Sequence, residues 1–365
     1  MKNLSVLIKP ASSDCNMKCR YCFYGDTAAH RNVPSHGIMK DSVTTTLLEQ
    51  IVKDMPSGGS VSFTFQGGEP CMAGLSYFEN FILNVGRIFP QTITADYSLQ
   101  TNGTLIDQQW CDFLKAHKFL VGISLDGIKS IHDRLRIDHV DGKTFSRVMD
   151  SVSLLKKNEI DINILTVITK EIVEQTEEVY QFYKKCGFTY VQFIPCLEPI
   201  EEGINTPYGL TSHDYGSFLK KVFWLWYEDI KRGRYISIRY FDNIVWMLRG
   251  RYPEMCGLLG KCHVQYVVES DGSIYPCDFY ALDKYNCGNI TETSLQDIRD
   301  CRNMKHFMSR TVKRHPLCEQ CKVSVLCHGG CSRYRNLYEQ DSVYCPIQDF
   351  LYETYERFAE IAAMV

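Results

Sequence analysis

Residues Cys15 to Cys22 read Cys-Asn-Met-Lys-Cys-Arg-Tyr-Cys, three thiols spaced C-x3-C-x2-C with Tyr21 just before the last. A loop this short can wrap three thiolates round one face of a cubane cluster. A [4Fe-4S] cluster normally takes four cysteines, and no fourth lies nearby, so one iron would stay open to a small molecule. The alternatives for such a triad are a zinc site or buried free cysteines. A second group of thiols lies far down the chain: Cys256, Cys262, Cys277, Cys318, Cys321, Cys327, Cys331 and Cys345. Eight thiols would fill two four-cysteine cubanes with no open iron on either, and two zinc ribbons are the alternative. Spacing alone would group Cys318, Cys321, Cys327 and Cys331. Asp278 adjoins Cys277, in a metal-organised and partly dry setting where carboxylates change their proton affinity. The remaining six cysteines, Cys71, Cys111, Cys186, Cys196, Cys287 and Cys301, are assigned to the core or to no role.

Composition narrows the class of molecule. The chain has 365 residues, 40 basic against 43 acidic, for a net charge of -3. That length exceeds the usual single core, so one large domain and a smaller one are expected. No Lys/Arg block stands out, which argues against nucleic acid or an anionic membrane as partner. The apolar run after Asn3 is too short for a signal peptide or a membrane span, and the expected location is cytoplasmic. In a reducing compartment the 17 cysteines point to metal binding rather than disulfides.

Positioning these groups falls to alternating elements. Candidate strands are Leu4–Lys9, Val61–Gln66, Ile93–Leu99, Leu120–Leu125, Ile160–Ile168 and Tyr190–Ile194. Amphipathic segments Asp41–Lys53, Leu75–Ile88, Asp107–Ala116, Thr144–Lys157 and Glu171–Cys186 lie between them. This alternation reads as βαβ units on a parallel sheet, curled by right-handed crossovers into a complete or partial barrel. Polar residues then fall just after the strands, at the carboxyl edge where such sheets bind ligands. The cysteine loop follows the first strand, Gly67-Gly68-Glu69-Pro70 the second, Gln100-Thr101-Asn102-Gly103 the third, and Ser124 ends the fourth. A helical, aromatic-rich stretch, Ser212–Arg232, is expected to bury most of its rings. Beyond about Ile236 the periodicity breaks up and a closing amphipathic helix begins near Gln348. Domains of residues 1–234 and 235–365 follow from this reading.

The C-x3-C-x-φ-C pattern (φ aromatic) resembles that of the radical S-adenosylmethionine (SAM) enzymes, in which the open iron chelates SAM. That resemblance implies a partial (β/α)6 radical SAM barrel. It makes Gly68 and Glu69 part of the segment that receives the SAM amino group, and Tyr21 the aromatic of the motif. By the same resemblance Ser124 contacts the ribose, Arg136 the carboxylate (with Arg134 as its rival) and Leu197 the adenine. The later cysteines resemble the SPASM module, a cysteine-rich auxiliary-cluster domain. The family crosses the ligands: Cys256, Cys262, Cys277 and Cys331 bind one cluster, Cys318, Cys321, Cys327 and Cys345 the other. The resemblance implies three [4Fe-4S] clusters and SAM as cofactors. The interval from Cys331 to Cys345 departs from the family by being short.

Tyr275-Pro276-Cys277-Asp278-Phe279-Tyr280 resembles anaerobic sulfatase-maturating enzymes, in which the corresponding aspartate is the proposed base. So do Ile8-Lys9-Pro10-Ala11-Ser12-Ser13, Phe65-Gln66-Gly67-Gly68-Glu69-Pro70 and Ser237-Ile238-Arg239-Tyr240-Phe241-Asp242. The implied activity is oxidation of a sulfatase cysteine or serine to Cα-formylglycine, on a segment resembling C/S-x-P/A-x-R. A reducing donor such as flavodoxin or ferredoxin would supply electrons. A maturase of a ribosomally made peptide is the alternative enzyme; many of those carry an N-terminal leader-binding domain, for which a first strand at Leu4 leaves no room. A metal-stabilised electron carrier is the non-enzymatic alternative, and it has no use for an open iron.

Overall fold

The computed structural model describes residues 2–201, 206–310 and 314–364. Its strands are β1 Asn3–Ile8, β2 Ser60–Phe65, β3 Thr94–Thr101, β4 Leu120–Ser124, β5 Ile162–Ile168, β6 Tyr190–Pro195, β7 Ser237–Ile238, β8 Tyr266–Val268 and β9 Ile274–Tyr275. The chain divides into two compact units. The first joins Met1–Ser124, Arg136–Ile162 and Val264–Arg310, and the second joins Leu125–Leu135, Asn163–His263 and Thr311–Val365.

In the first unit the strands lie in the order β4-β3-β2-β1-β8-β9. From β1 to β4 every pairing is parallel, with Ile8 opposite Phe65, Phe65 opposite Leu99 and Thr101 opposite Ile123. Parallel neighbours in this register send the loops after β1, β2, β3 and β4 out at one edge, as the sequence pattern predicts. Val6, Ile8, Val61, Phe63, Phe65, Leu99 and Val121 are buried, and the helices Asp41–Asp54, Leu75–Ile88 and Gln108–Ala116 supply the crossovers. On its other side β1 pairs in parallel with β8, and β8 pairs antiparallel with β9. Those two short strands come from the cysteine-rich part of the sequence, where the pattern predicts no strand. Both are wholly buried but too short to show a periodicity.

The second unit has the parallel pairs β5–β6 and β6–β7. The expected helix over Glu171–Cys186 is broken at Gln175 into Lys170–Glu174 and Thr176–Lys185. Helices Ser212–Lys231, Arg239–Leu248 and Pro346–Met364 share an aromatic core in which Phe223 lies 4.6 Å from Phe358 and Trp226 5.2 Å from Phe241, centroid to centroid. Phe223, Trp226 and Tyr227 are buried as expected, while Trp224 stays partly exposed. The helix Arg239–Leu248 is regular and buries Phe241, Ile244 and Val245, so periodicity persists past Ile236. Among the described residues no helix is long and apolar enough to cross a membrane.

Candidate active site

The three-thiol loop is held from several sides within the first unit. Lys18 N–H donates to the Ile137 carbonyl at 2.7 Å, and Met17 and Asp138 form an antiparallel bridge. A ring nitrogen of His139 meets the Cys15 carbonyl at 2.8 Å. Cys22 caps the helix Phe23–Ala29, its Sγ accepting from Gly25 N–H. Cys15 and Cys19 are half-buried and Cys22 is exposed. Burial pushes the Cys15 thiol up to about 12 against the Met17 N–H, and Glu69, Cys19 and Cys22 add to the rise. The three thiols therefore feel one another's charge, and a bound cationic centre reverses the sign of that effect. All three donors are soft thiols, the ligands that suit an iron–sulfur cluster.

Against this loop stands the Gly67-Gly68-Glu69-Pro70 turn after β2. Gly68 N–H donates to Ser12 O and Glu69 N–H to Asp14 O, at 2.9 and 2.8 Å. A Cβ on Gly68 would lie 2.1 Å from Asp14 O. The glycine thus lets the turn close on the cysteine loop itself. The Glu69 carboxylate is buried and fully engaged. Oε1 accepts from Thr101 Oγ1 at 2.7 Å and Cys71 N–H at 3.1 Å, and Oε2 from Asn102 N–H at 2.7 Å. Burial raises its proton affinity while these donors lower it. Asn102 then reaches the loop, donating to Asn16 Oδ1 at 2.8 Å. Ser124 Oγ accepts from Gln100 at 3.1 Å, and Arg136 Nη1 donates to Tyr21 OH at 2.7 Å. Arg136 and Tyr21 are buried. Its rival Arg134 is 58% exposed and pairs with Glu171 in the second unit.

Asp278 reaches the same region from the far end of the sequence. Phe23, next to Cys22, meets Phe279, next to Asp278, edge to face at 5.2 Å. The buried Asp278 carboxylate receives Lys9 Nζ on Oδ1 at 2.5 Å and Gln66 Nε2 on Oδ2 at 2.8 Å. Lys9 is completely buried and lies 3.6 Å over the Tyr24 ring. Behind it Tyr24 OH donates to Glu269, which also takes Ser12 Oγ at 2.7 Å and pairs with Arg31 at 3.1 Å. Sequence reasoning assigns no role to Lys9, Gln66 or Glu269. The available signal for Lys9 is a charged residue closing a strand whose other residues read largely as core.

The second unit gathers seven of the other eight thiols, and Cys277 stands in the first. Burial raises the Cys327 thiol to about 11, with Cys345, Cys321 and Cys318 adding to it. Burial also raises Cys331, whose thiol neighbours are instead Cys256 and Cys262. Packing agrees: a Cβ on Gly257 would touch Cys331 Cβ at 3.4 Å, and His328 Nδ1 meets Leu258 O at 2.8 Å. Cys345 interacts with Cys318 and Cys321 despite the short interval before it. In the second unit Cys331 therefore has Cys256 and Cys262 as thiol neighbours, and Cys327 has Cys318, Cys321 and Cys345. Leu197 lies half-buried just after β6. Among the described residues, no three His, Cys, Asp or Glu side chains are gathered round a single metal-ion position.

Comparison with known proteins gives these sites a family. Residues 10–183 match the Radical SAM superfamily, and residues 261–322 match SPASM, an iron-sulfur cluster-binding domain. The cysteine-type anaerobic sulfatase-maturating enzyme of Clostridium perfringens (strain 13 / Type A) is 42% identical over 99% of this chain and 97% of its own. The serine-type enzyme of Bacteroides thetaiotaomicron is 29% identical over 92% of this chain and 84% of its own. Among solved structures, native anSMEcpe with bound AdoMet and Kp18Cys peptide matches at a TM-score of 0.91 and 40% identity, covering 100% of both chains. The fold is that of a radical SAM domain joined to a SPASM domain, and the chain belongs to the family of anaerobic sulfatase-maturating enzymes.

Proposed function

We propose that this chain is a radical SAM oxidoreductase that converts a sulfatase cysteine, or a serine in its place, to Cα-formylglycine, with cysteine preferred. The preference rests on the greater identity to cysteine-type than to serine-type relatives. The observation that carries the chemistry is the buried Asp278 carboxylate, held by Lys9 and Gln66 beside the exit of β1 that leads into the cysteine loop. The substrate is a C/S-x-P/A-x-R segment, the electron donor a flavodoxin or ferredoxin, and the location cytoplasmic. Residues 1–234 form the radical SAM domain and residues 235–365 the SPASM domain with its closing helix.

Cys15, Cys19 and Cys22 hold the SAM cluster. Cys256, Cys262, Cys277 and Cys331 hold a second, and Cys318, Cys321, Cys327 and Cys345 a third. When bound, the [4Fe-4S] clusters and SAM supply hydrogen-atom removal at the substrate Cβ and a route out for the second electron. The remaining work falls to side chains. Gly68 and Glu69, by their backbone, with Tyr21, Ser124, Arg136 and Leu197 position SAM, Arg136 being steadied by Tyr21. Asp278 takes the proton that leaves the substrate thiol or hydroxyl. Lys9 and Gln66 each occupy one lone pair of the carboxylate and leave one on each oxygen for that proton. General-base help of this kind contributes ~10²–10⁴-fold.

The test is to incubate reduced enzyme, SAM and a short C-x-P-x-R peptide without oxygen and to weigh the peptide. Conversion of CH2–SH to CHO is the expected mass change. A peptide that loses two hydrogens and keeps its sulfur in a crosslink would establish the alternative maturase reading.

A further inference from the structure

Two of the cysteines assigned to the core lie together outside every cluster set. Cys287 is buried and follows β9, its N–H donating to the Ile274 carbonyl at 2.8 Å and its thiol to the Tyr285 carbonyl at 3.3 Å. Cys301 is half-exposed and caps the eight-residue helix Arg302–Ser309, its Sγ accepting from Met304 N–H at 3.3 Å. The segments that carry them are fastened beside each other: Asn303 Nδ2 donates to the Asn286 carbonyl at 2.6 Å, and Tyr285 and Phe307 meet edge to face at 5.6 Å. Burial raises the Cys287 thiol, and the neighbouring Cys301 adds to that rise.

We infer that Cys287 and Cys301 are a dithiol–disulfide couple, a modification site separate from the cluster ligands, oxidised by a low-molecular-weight disulfide. Cys301 is the more exposed thiol and reacts first. Its sulfur attacks one sulfur of the small disulfide and expels one thiolate, leaving a mixed disulfide on Cys301. Cys287 then attacks the Cys301 sulfur and expels the second thiolate. The two cysteine protons end on the two released thiols. Cys287 and Cys301 together lose two electrons and the reagent gains them, so no cluster takes part. The product closes a covalent loop over residues 287–301, fastening the helices Leu295–Asp300 and Arg302–Ser309 to the strand region that carries Asp278.

Geometry makes the step selective. The Asn303–Asn286 hydrogen bond holds the two segments together one residue from Cys287 and two from Cys301, whereas cysteines on separated backbones need backbone movement to be bridged. Burial leaves Cys287 out of reach of a bulky reagent, so it serves as the resolving thiol.

The test uses the reconstituted holoenzyme under argon, treated with glutathione disulfide, then alkylated and digested with trypsin, which cleaves after Arg299 and Arg302. The expected product joins the Cys287 peptide to the Cys301 peptide, at the summed mass less two hydrogens, with the visible cluster absorption unchanged. In Cys287→Ser the reaction should stop at a single glutathione adduct on Cys301. In Cys301→Ser neither the adduct nor the cross-link should form on this pair. Alkylation of both thiols in the treated wild type, or glutathione spread over the other cysteines in preference to Cys301, would overturn the assignment.

Discussion

The two thiol systems are built on opposite principles. The Cys15–Cys22 loop is tied by hydrogen bonds to Ile137, Asp138, His139, Asn102 and the turn at Gly68 and Glu69, and Gly68, Glu69 and Asn102 follow strands of a sheet with a packed apolar core. Five of the seven thiols of the second unit sit instead on or beside single turns: Cys256 opens Cys256–Leu258, Cys318 lies in Pro316–Gln320 and Cys321 just after it, Cys327 ends Ser324–Cys327 and Cys331 precedes Ser332–Tyr334. Between Cys327 and Cys331 the chain runs through left-handed His328 and then Gly329 and Gly330 with positive φ. One-turn elements cannot hold themselves in water. The first cage is therefore shaped by the fold and then filled, whereas the second takes its shape in large part from what it binds.

Removing thiols should separate the two most sharply. Cys15→Ala, Cys19→Ala and Cys22→Ala together should abolish SAM cleavage while the melting temperature and far-ultraviolet circular dichroism stay close to wild type. Iron bound to the later thiols should remain. Cys318→Ala should do the reverse, sparing SAM cleavage but opening residues 314–345 to proteolysis and uncoupling cleavage from product. If the triad variant unfolds as readily as the Cys318 variant, the distinction between a preformed and a metal-shaped cage is lost.

Asp278→Asn comes next in size. The amide keeps the shape and still presents an oxygen to Lys9 or Gln66, but it cannot accept the substrate proton. Formylglycine should fall by ~10²–10⁴-fold with iron content and SAM cleavage retained. Wild-type product rates in this variant would remove Asp278 as the base. Loss of iron would instead place Asp278 with the metal-shaped elements.

How far the sequence can be read follows the same divide. Strands β1 to β6 are legible because each is a short β-rich run followed by a helical stretch, and the alternation by itself puts Gly68, Asn102 and Ser124 at one edge. The pairing of β8 with β1 is not legible: Tyr266–Val268 is a very short strand, and a pairing between opposite ends of the chain leaves no periodic trace. Sequence spacing also does not show the surroundings of Cys331, because proximity along the chain does not reveal that Cys256 and Cys262 stand beside it. The partners of Asp278 are hidden for a related reason. Lys9 and Gln66 sit one residue past the ends of β1 and β2, and only the docking of β8 and β9 brings Asp278 to them.

Gly68→Ala probes the preformed cage without removing a cluster thiol. The added methyl would lie 2.1 Å from Asp14 O and 2.6 Å from the Ser13 carbonyl carbon, and both are backbone atoms that cannot swing aside. The cysteine loop must shift relative to the turn, and displacement on the scale of an ångström costs reactions of this kind about 10²-fold. SAM cleavage per cluster should drop by that order while iron content at the later thiols is unchanged. Retained cleavage would mean that the loop yields easily, and the contrast with the second unit would weaken.

The smallest effect tests what Glu69 contributes to that cage. Its carboxylate joins the end of β2 to Thr101 and Asn102 at the end of β3, and burial raises its proton affinity above the ordinary carboxylate range. A group whose folded-state affinity is raised binds its proton more tightly in the native chain than in the unfolded one. Its contribution is then fully present below the unfolded pKa and is lost as pH climbs through the raised native value. Glu69→Gln removes this titration and keeps one oxygen, either for Thr101 Oγ1 and Cys71 N–H or for Asn102 N–H, but it turns an N–H2 toward the donors on the other side. At neutral pH the exchange should alter stability by about 1–2 kcal/mol, far less than the loss of a cluster. Comparing thermal midpoints of wild type and variant across a pH series gives the sign. Between the ordinary glutamate pKa and the raised one, the wild type should lose stability relative to the variant as pH increases, and above that window the difference should level off. A difference independent of pH, or one that grows in the wild type's favour with rising pH, would mean that the donors around Glu69 outweigh its burial and that the native turn is built round an ordinary ionised carboxylate.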